Sequence, residues 1–147
     1  MGLMVDPSLA FYATLFGIIK TGAIAVPMFT LFGPDGLRSR VEDSGLKVLV
    51  VSEEKSDMAK ELAGIHVSVA DDAYISNLDM FDTIFSTSSQ SSDYAIYQYT
   101  SGTTRAVPTA VKHTHLSIVY LMIAALYATG IRPGDRFFLS LLNSLGA

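Results

Sequence analysis

The sequence of 147 residues contains no cysteine. Disulfides, zinc sites built on thiolates and cysteine nucleophiles are therefore excluded. Because there are no disulfides to indicate an oxidising environment, the sequence does not decide the cellular compartment. We expect a cytoplasmic location, which fits this composition.

Positive charge is scarce, with ten basic residues against fourteen acidic residues and a net charge of -4. A nucleic-acid partner is not expected, because binding to nucleic acid requires a basic face. Half of the residues are hydrophobic and 16% are charged, which is typical of a globular protein. We therefore expect residues 1–147 to form a single folded segment with one core.

The sequence also lacks a secretory signal and a long uninterrupted apolar run. The first apolar run, residues 9–32, is interrupted by Lys20, Gly22 and Pro27. The second, residues 116–129, is shorter than the roughly 20 residues that a membrane span requires. Both runs predict buried elements of a folded domain and no membrane span.

The first part of the sequence predicts a helix followed by a strand. Asp6 can cap the helix, Pro7 suits its first position and Gly22 suits its end. Residues 23–28 follow as a short buried strand. The predicted apolar face of the helix contains Leu9, Tyr12, Phe16 and Ile19.

Further helices and strands alternate along the chain. A turn at residues 33–36 precedes a short helix with Leu37 and Val41 on one face. The apolar run 48–51 is typical of a strand covered on both faces, as in a parallel sheet. Other strands are predicted over residues 65–69, 94–99, 107–112 and 137–142. A short helix is predicted through Leu78, Phe81 and Phe85, and a buried helix over 116–128. Residues 86–93 are predicted to be a flexible Ser-rich connection. The alternation predicts the α/β class, with a mainly parallel sheet and flanking helices.

A hydroxyl-rich stretch follows the predicted strand 94–99. Residues 98–104 contain five hydroxyl side chains and one glycine. Backbone N–H groups in such a loop can point at phosphate oxygens, and the hydroxyls add donors or magnesium ligands. The same composition also occurs in ordinary turns. The stretch has neither the Gly-Lys-Ser/Thr ending nor the Gly-x-Gly-x-x-Gly pattern of the familiar phosphate loops.

The order of residues in this stretch is more specific than its composition. The sequence Thr100-Ser101-Gly102-Thr103-Thr104, with Pro108 and then His113-Thr114-His115 downstream, resembles the nucleotide-phosphate loop of the AMP-forming acyl-CoA synthetases. These enzymes belong to the adenylate-forming superfamily. Residues 15–27 and 41–50 are similar to two earlier segments of the same family, in the same order. The resemblance implies part of the N-terminal domain of an acyl-CoA synthetase-like fold.

The resemblance also implies a reaction for the parent enzyme. A carboxylic acid attacks ATP, giving an acyl-adenylate and pyrophosphate, and the thiol of coenzyme A then displaces AMP. The implied ligands of the β- and γ-phosphates and Mg²⁺ are Thr100, Ser101, Gly102, Thr103 and Thr104. Glycine at position 102 would let the backbone approach the phosphates closely.

The loop departs from the family pattern after Thr104. Arg105 replaces a glycine, Pro108 comes one residue late, and Thr109 stands where the family has a lysine. The phosphate-neutralising lysine is therefore missing. Arg105 and Lys112 are candidates to replace it, and His113 is a candidate for a positioning role beside the loop.

Other features of the family are not found in these residues. Its adenine, ribose and acid-binding motifs and its catalytic lysine lie further downstream, so we assign no catalytic residue here and expect the segment alone to be inactive. The alternative is a non-catalytic nucleotide-binding or assembly module that kept this fold. Strand edges and apolar surface left uncovered would favour a homodimer.

Two other kinds of site compete with phosphate binding near the loop. His113 and His115 lack a nearby cysteine or carboxylate that would complete a metal site, so we expect no metal bound by protein ligands alone. Ser101 with His113 lacks the Gly-x-Ser-x-Gly elbow of a hydrolase. The identity of the carboxylic acid stays open.

Overall fold

A computed structural model describes residues 1–78, 80–99 and 109–136. The chain divides into two compact units, Met1–His115 and Leu116–Ala147. The first unit contains every strand described below.

Four parallel strands form the centre of the first unit. They are β1 (Gly2–Met4), β2 (Val26–Pro27), β3 (Val48–Val51) and β4 (His66–Val69), in the spatial order β2-β1-β3-β4. Leu3 lies between Pro27 and Val50 in the register of the sheet. The predicted α/β class with a mainly parallel sheet is confirmed. The sequence reasoning missed β1, because three residues at a chain end carry too little pattern to identify a strand.

Two further strands form a separate pair, which one bridge connects to this sheet. They are β5 (Tyr94–Tyr99) and β6 (Ala110–Thr114), which pair antiparallel. Ala25 joins β5 to the parallel strands, since its N–H donates to Ala95 O at 2.8 Å and its carbonyl accepts from Tyr97 N at 2.9 Å. The strand predicted over 94–99 is confirmed. The strand predicted over 107–112 is found from Ala110 onward, and the one predicted over 137–142 lies outside the described residues.

Five helices flank or follow these strands. They are α1 (Leu9–Lys20), α2 (Pro34–Ser44), α3 (Ser56–Lys60, after a 3₁₀ turn at Glu53–Lys55), α4 (Asp72–Leu78) and α5 (His115–Ala124, continued by a π-helical turn at Ala125–Thr129). Residues 33–36 are therefore not a separate turn, because α2 already starts at Pro34. The predicted helix through Leu78, Phe81 and Phe85 is also wrong, since α4 ends at Leu78 and both phenylalanines are exposed.

The start of α1 differs from the prediction. Ser8, not Asp6, caps the helix, and its hydroxyl accepts from Phe11 N at 3.2 Å. Asp6 instead accepts a hydrogen bond of 2.7 Å from the hydroxyl of Thr30. This bond links the segments that follow β1 and β2. Gly22 follows the last turn with a φ of 78°, as its predicted place at the helix end requires.

The buried face of α1 is the opposite of the predicted one. Leu9 and Phe16 are 71% and 55% exposed, whereas Thr14 and Ile18 are buried. Phe11 and Leu15 pack against a core cluster made of Leu3, Val5 and Val50. Both faces of α1 have apolar residues at helical spacing, so the periodicity alone does not determine which face is covered.

A second core cluster lies on the other side of the sheet, under α2. Leu37 is fully buried and Val41 nearly so, as their predicted common face requires. They pack with Met4, Leu49 and Tyr99, among others. The sheet is therefore covered on both faces, which explains the uninterrupted apolar sequence of β3.

The Ser-rich stretch lies next to the end of α1. A Cβ atom built on Gly22 would come within 2.7 Å of the hydroxyl of Ser89 and 3.1 Å of the hydroxyl of Thr87. These two hydroxyls are 2.9 Å apart. The flexibility that composition predicts for residues 86–93 stays a prediction.

In contrast with the prediction of a buried helix, α5 is exposed. Tyr120, Leu121 and Met122 each expose more than half of their accessible surface. An apolar sequence on all sides favours a buried helix, but burial depends on what packs against it. Within the described ranges, no helix is long and apolar enough to cross a membrane.

Candidate functional site

The predicted phosphate loop connects β5 to β6. Residues 100–104, Arg105 and Pro108 lie outside the described residues, but the strands on both sides are described. Tyr99, the last residue of β5, is paired with Ala110 at the start of β6. Because β5 is parallel to the central strands, the chain leaves it at their carboxyl edge. Ligands of open α/β sheets bind at this edge.

A cleft of about 200 Å³ opens at the same edge. Its walls include the aromatic rings of Phe11, Phe29 and Phe32, and its polar groups include the hydrogen-bonded pair Asp6 and Thr30. Tyr99 also lines the cleft. The cleft therefore lies directly beside the residue from which the loop starts.

Tyr99 is 5% exposed and anchors the end of β5 to α2. Its phenol donates a hydrogen bond of 2.5 Å to Oδ2 of Asp43 and lies 3.5 Å from the carbonyl oxygen of Arg40. Burial raises the pKa of Tyr99 above its ordinary value, and the hydrogen bond to Asp43 raises it further. The phenol therefore remains a protonated donor at neutral pH.

Arg40 is a second buried polar residue on α2, with 9% of its surface exposed. Its guanidinium lies against the ring of Phe32, and its Nη1 donates to the carbonyl oxygen of Gly36 at 2.8 Å. Its Nε is buried and has no hydrogen-bond partner among the described residues. Burial lowers the pKa of Arg40.

The sequence reasoning included Tyr99 in the hydroxyl-rich stretch but missed Arg40 and Asp43 as part of the site. The burial of Arg40 could have been predicted, because it is spaced three residues from Leu37 on the buried stripe of α2. The contact between Tyr99 and Asp43 carries no signal in a single sequence, since 56 positions separate the two residues.

Two of the supporting candidates, Lys112 and His113, lie on β6. Lys112 is exposed and pairs with Tyr97, and its Nζ lies 4.9 Å from the ring centroid of Tyr97 and 5.7 Å from that of Tyr94. His113 is half-buried, pairs with Ile96, and projects to the other face of the strand. The structure therefore separates these two candidates instead of bringing them together.

The histidine pair, His113 and His115, lies around the junction of β6 and α5. The backbone N–H of His115 donates to the carbonyl oxygen of Asp93 at 3.0 Å, and its Nε2 is buried without a hydrogen-bond partner among the described residues. In the part of the chain that the structure describes, no group of three or more histidines and carboxylates is arranged to hold a metal ion.

Comparisons with known proteins agree with this fold and this sequence pattern. The chain is 31% identical over 147 residues to a 3-hydroxybenzoate–CoA ligase from Aromatoleum sp. (strain CIB), covering 92% of this chain and 28% of that protein. It is 29% identical over 149 residues to a 3-hydroxybenzoate–CoA/4-hydroxybenzoate–CoA ligase from Thauera aromatica, with the same coverage. The chain thus spans little more than a quarter of the length of these relatives.

A solved structure supports the fold independently. The acyl-CoA synthetase of Brucella canis superimposes with a TM-score of 0.75 at 22% identity, over 91% of this chain and 26% of that one. The model of the family described as "AMP-binding enzyme" matches residues 1–145. Since this match covers nearly the whole chain, the chain belongs to the family of AMP-binding enzymes.

Proposed function

We propose that this chain supplies the ATP-phosphate-binding part of an AMP-forming carboxylic acid–CoA ligase. One observation carries the proposal: a chain of this family leaves β5 at the carboxyl edge of a parallel sheet and continues directly into the sequence Thr100-Ser101-Gly102-Thr103-Thr104. That edge is where α/β sheets bind ligands.

The proposed reaction has two steps. A carboxylate oxygen attacks the α-phosphorus of ATP, the bond between the α- and β-phosphates breaks, and pyrophosphate leaves. The sulfur of coenzyme A then attacks the acyl carbonyl carbon, the thiol proton is lost to solvent, and AMP leaves. The two relatives named for hydroxybenzoates make hydroxybenzoic acids the first substrates to test.

The loop would act on the departing pyrophosphate. Hydroxyls and backbone N–H groups of residues 100–104 would hold the β- and γ-phosphates as negative charge develops there. Hydroxyl oxygens are hard ligands that suit Mg²⁺, which offsets the phosphate charge when it is bound. A cytoplasmic location and a homodimer remain predictions.

A titration tests the phosphate-binding role directly. The chain is titrated with Mg·ATP, Mg·tripolyphosphate and AMP, using calorimetry and ³¹P NMR. We expect Mg·ATP and Mg·tripolyphosphate to bind and AMP to bind far more weakly, because AMP lacks the β- and γ-phosphates. Absence of Mg·ATP binding, or equal binding of AMP, would contradict the proposal.

Variants connect the binding to the loop. Replacing Ser101 and Thr103 together by alanine should weaken Mg·ATP binding by about tenfold or more, because two donors to charged oxygens are lost. Ser91→Ala with Ser92→Ala is the matched control, since both serines are exposed in the Ser-rich stretch. An equal loss in both double variants would argue against the loop.

We expect no acid-dependent release of pyrophosphate by these 147 residues alone, and such release would overturn this expectation.

The alternative, a non-catalytic binding module, differs from the ligase in what it predicts for the gene. A reading frame that continues past Ala147 into adenine, ribose and acid-binding motifs would favour the ligase. A reading frame that stops there would favour the binding module.

A further inference from the structure

The starting point of the phosphate loop is held from several sides. Tyr99 immediately precedes residue 100, and its phenol bonds to Asp43 in the last turn of α2. The guanidinium carbon of Arg40 lies 5.6 Å from the centroid of the Tyr99 ring. The backbone of Tyr99 is paired with Ala110 across the hairpin. The chain therefore enters the loop from a residue fixed by both its backbone and its side chain.

The phenol oxygen is not explained by packing. A phenylalanine at position 99 would fill almost the same space in the core. A buried hydroxyl costs free energy unless it is hydrogen-bonded, and here the carboxylate of Asp43 is its short acceptor, with the carbonyl oxygen of Arg40 at 3.5 Å. What the hydroxyl adds is direction, because a hydrogen bond of 2.5 Å fixes the tyrosine relative to α2.

Phosphate binding is sensitive to such direction. Donors must be held within about 0.5 Å of their productive positions by residues that are themselves locked in place. We propose that the hydrogen bond between Tyr99 and Asp43 positions the start of the loop, so that both are positioning residues for the phosphates of ATP. This inference rests on the proposed function of residues 100–104.

A second tyrosine provides a matched control for stability. The hydroxyl of Tyr74 is 2.8 Å from that of Thr14 and joins α4 to α1. Tyr74 packs with the core cluster on the other face of the sheet from Tyr99. Tyr74→Phe therefore removes a phenol hydrogen bond, here with a neutral hydroxyl, without touching the residue that precedes the loop.

The test combines four variants with three measurements. Tyr99→Phe, Asp43→Ala, Asp43→Asn and Tyr74→Phe are compared with the parent chain. The midpoint of thermal unfolding, the Kd for Mg·ATP and for Mg·tripolyphosphate, and the ³¹P chemical shifts of the bound β- and γ-phosphates are measured. Asp43→Asn is the rescue variant, because its amide oxygen can still accept the bond from Tyr99.

We expect Tyr99→Phe and Asp43→Ala to raise both Kd values by at least about fivefold, and to shift the bound phosphate signals. Asp43→Asn should stay close to the parent. Tyr74→Phe should lower the unfolding midpoint while leaving both Kd values unchanged. If one variant fails to fold, the other substitution of the same pair carries the comparison.

Three outcomes would overturn the inference. The first is a Tyr99→Phe variant that binds Mg·ATP as tightly as the parent, in which case the proposed function survives. The second is an equal loss of affinity in Tyr74→Phe, which would show that affinity follows stability. The third is absence of binding by the parent chain, which would overturn the proposed function and this inference together.

Discussion

The guanidinium carbon of Arg40 lies 3.8 Å from the centroid of the Phe32 ring. Arg40 is on α2, and Phe32 is two residues before that helix begins. The arginine thus folds back along its own helix, covers the ring, and donates to the carbonyl oxygen of Gly36. Its planar cation is buried at a position on the apolar face of α2 where an aliphatic side chain would be expected.

This contact predicts that arginine and lysine are not interchangeable at position 40. Arg40→Lys should lower the free energy of unfolding by about 1–2 kcal/mol, because an ammonium cannot stack on Phe32 and is more costly to bury. Urea unfolding followed by circular dichroism measures the change. Arg38→Lys is the control on the exposed side of α2 and should change the free energy by less than about 0.5 kcal/mol. Equal effects at the two positions would refute the role of stacking.

The two faces of α1 predict opposite sensitivities to truncation. Ile18→Ala should lower the free energy of unfolding by about 2–5 kcal/mol, since it leaves a cavity under the helix. Phe16→Ala should cost less than about 0.5 kcal/mol, because Phe16 is exposed in this structure. Denaturant titration of the two variants decides the matter, and a larger loss for Phe16→Ala would show that the assigned face is wrong.

Alanine substitutions at Gly22 and Gly45 distinguish the cost of backbone strain from the cost of steric crowding. Both have positive φ, at 78° and 61°, so alanine at either position should cost about 1–2 kcal/mol. Only Gly22 faces close neighbours, the hydroxyls of Ser89 and Thr87, and nothing lies within 4 Å of a Cβ at Gly45. We therefore expect Gly22→Ala to lower the unfolding midpoint more than Gly45→Ala. Adding Ser89→Ala should recover part of the difference, and no recovery would argue against this contact.

The raised pKa of Tyr99 predicts how stability depends on pH. A tyrosine whose pKa is raised on folding adds stability below its unfolded pKa, near 10, and this stability is lost as the pH rises toward the folded pKa. The absorbance of tyrosinate should show a tyrosine that resists ionisation as the pH passes the ordinary tyrosine value near 10. In Tyr99→Phe this resistant group should be missing. A resistant group that persists in the variant would assign the shift elsewhere.

The two basic candidates to replace the missing lysine, Arg105 and Lys112, are predicted to differ in how much they contribute to Mg·ATP affinity. Arg105→Ala should weaken Mg·ATP binding by about tenfold if this arginine replaces the missing lysine, since a charge-assisted bond is lost. Lys112→Ala should have a smaller effect, because its ammonium lies over the rings of Tyr94 and Tyr97. Lys60→Ala, on the exposed side of α3, controls for net charge. An unchanged affinity in Arg105→Ala would refute the substitution.

Much of the fold could be predicted where the pattern is local. The run 48–51, the strand over 94–99 and the stop at Gly45 each depend on a few neighbouring residues, and the structure confirms them. The helix α5 shows the limit of such patterns. Its apolar residues predicted burial, but burial is a relation between two surfaces, and one sequence segment describes only one of them.

In the candidate site, too, local features could be predicted from the sequence and long-range contacts could not. The hydroxyl-rich loop and its family resemblance could be read directly from residues 98–104. The anchor of Tyr99 on Asp43 could not, because pairing across 56 positions is created only when β5 is placed beside the rest of the sheet. The role of residues 100–104 in binding phosphate stays a prediction.

By itself, the sequence determined the α/β class, the order of the main elements and membership of the AMP-binding family, because periodicity, turn residues and motif order are properties of adjacent positions. Only the tertiary structure decided which face of α1 is buried, that β1 lies at the centre of the sheet, and that Arg40 and Asp43 lie beside Tyr99. The physical reason is that these facts depend on which distant segments come together, and a helix with two apolar faces is compatible with either arrangement until its partner is in place.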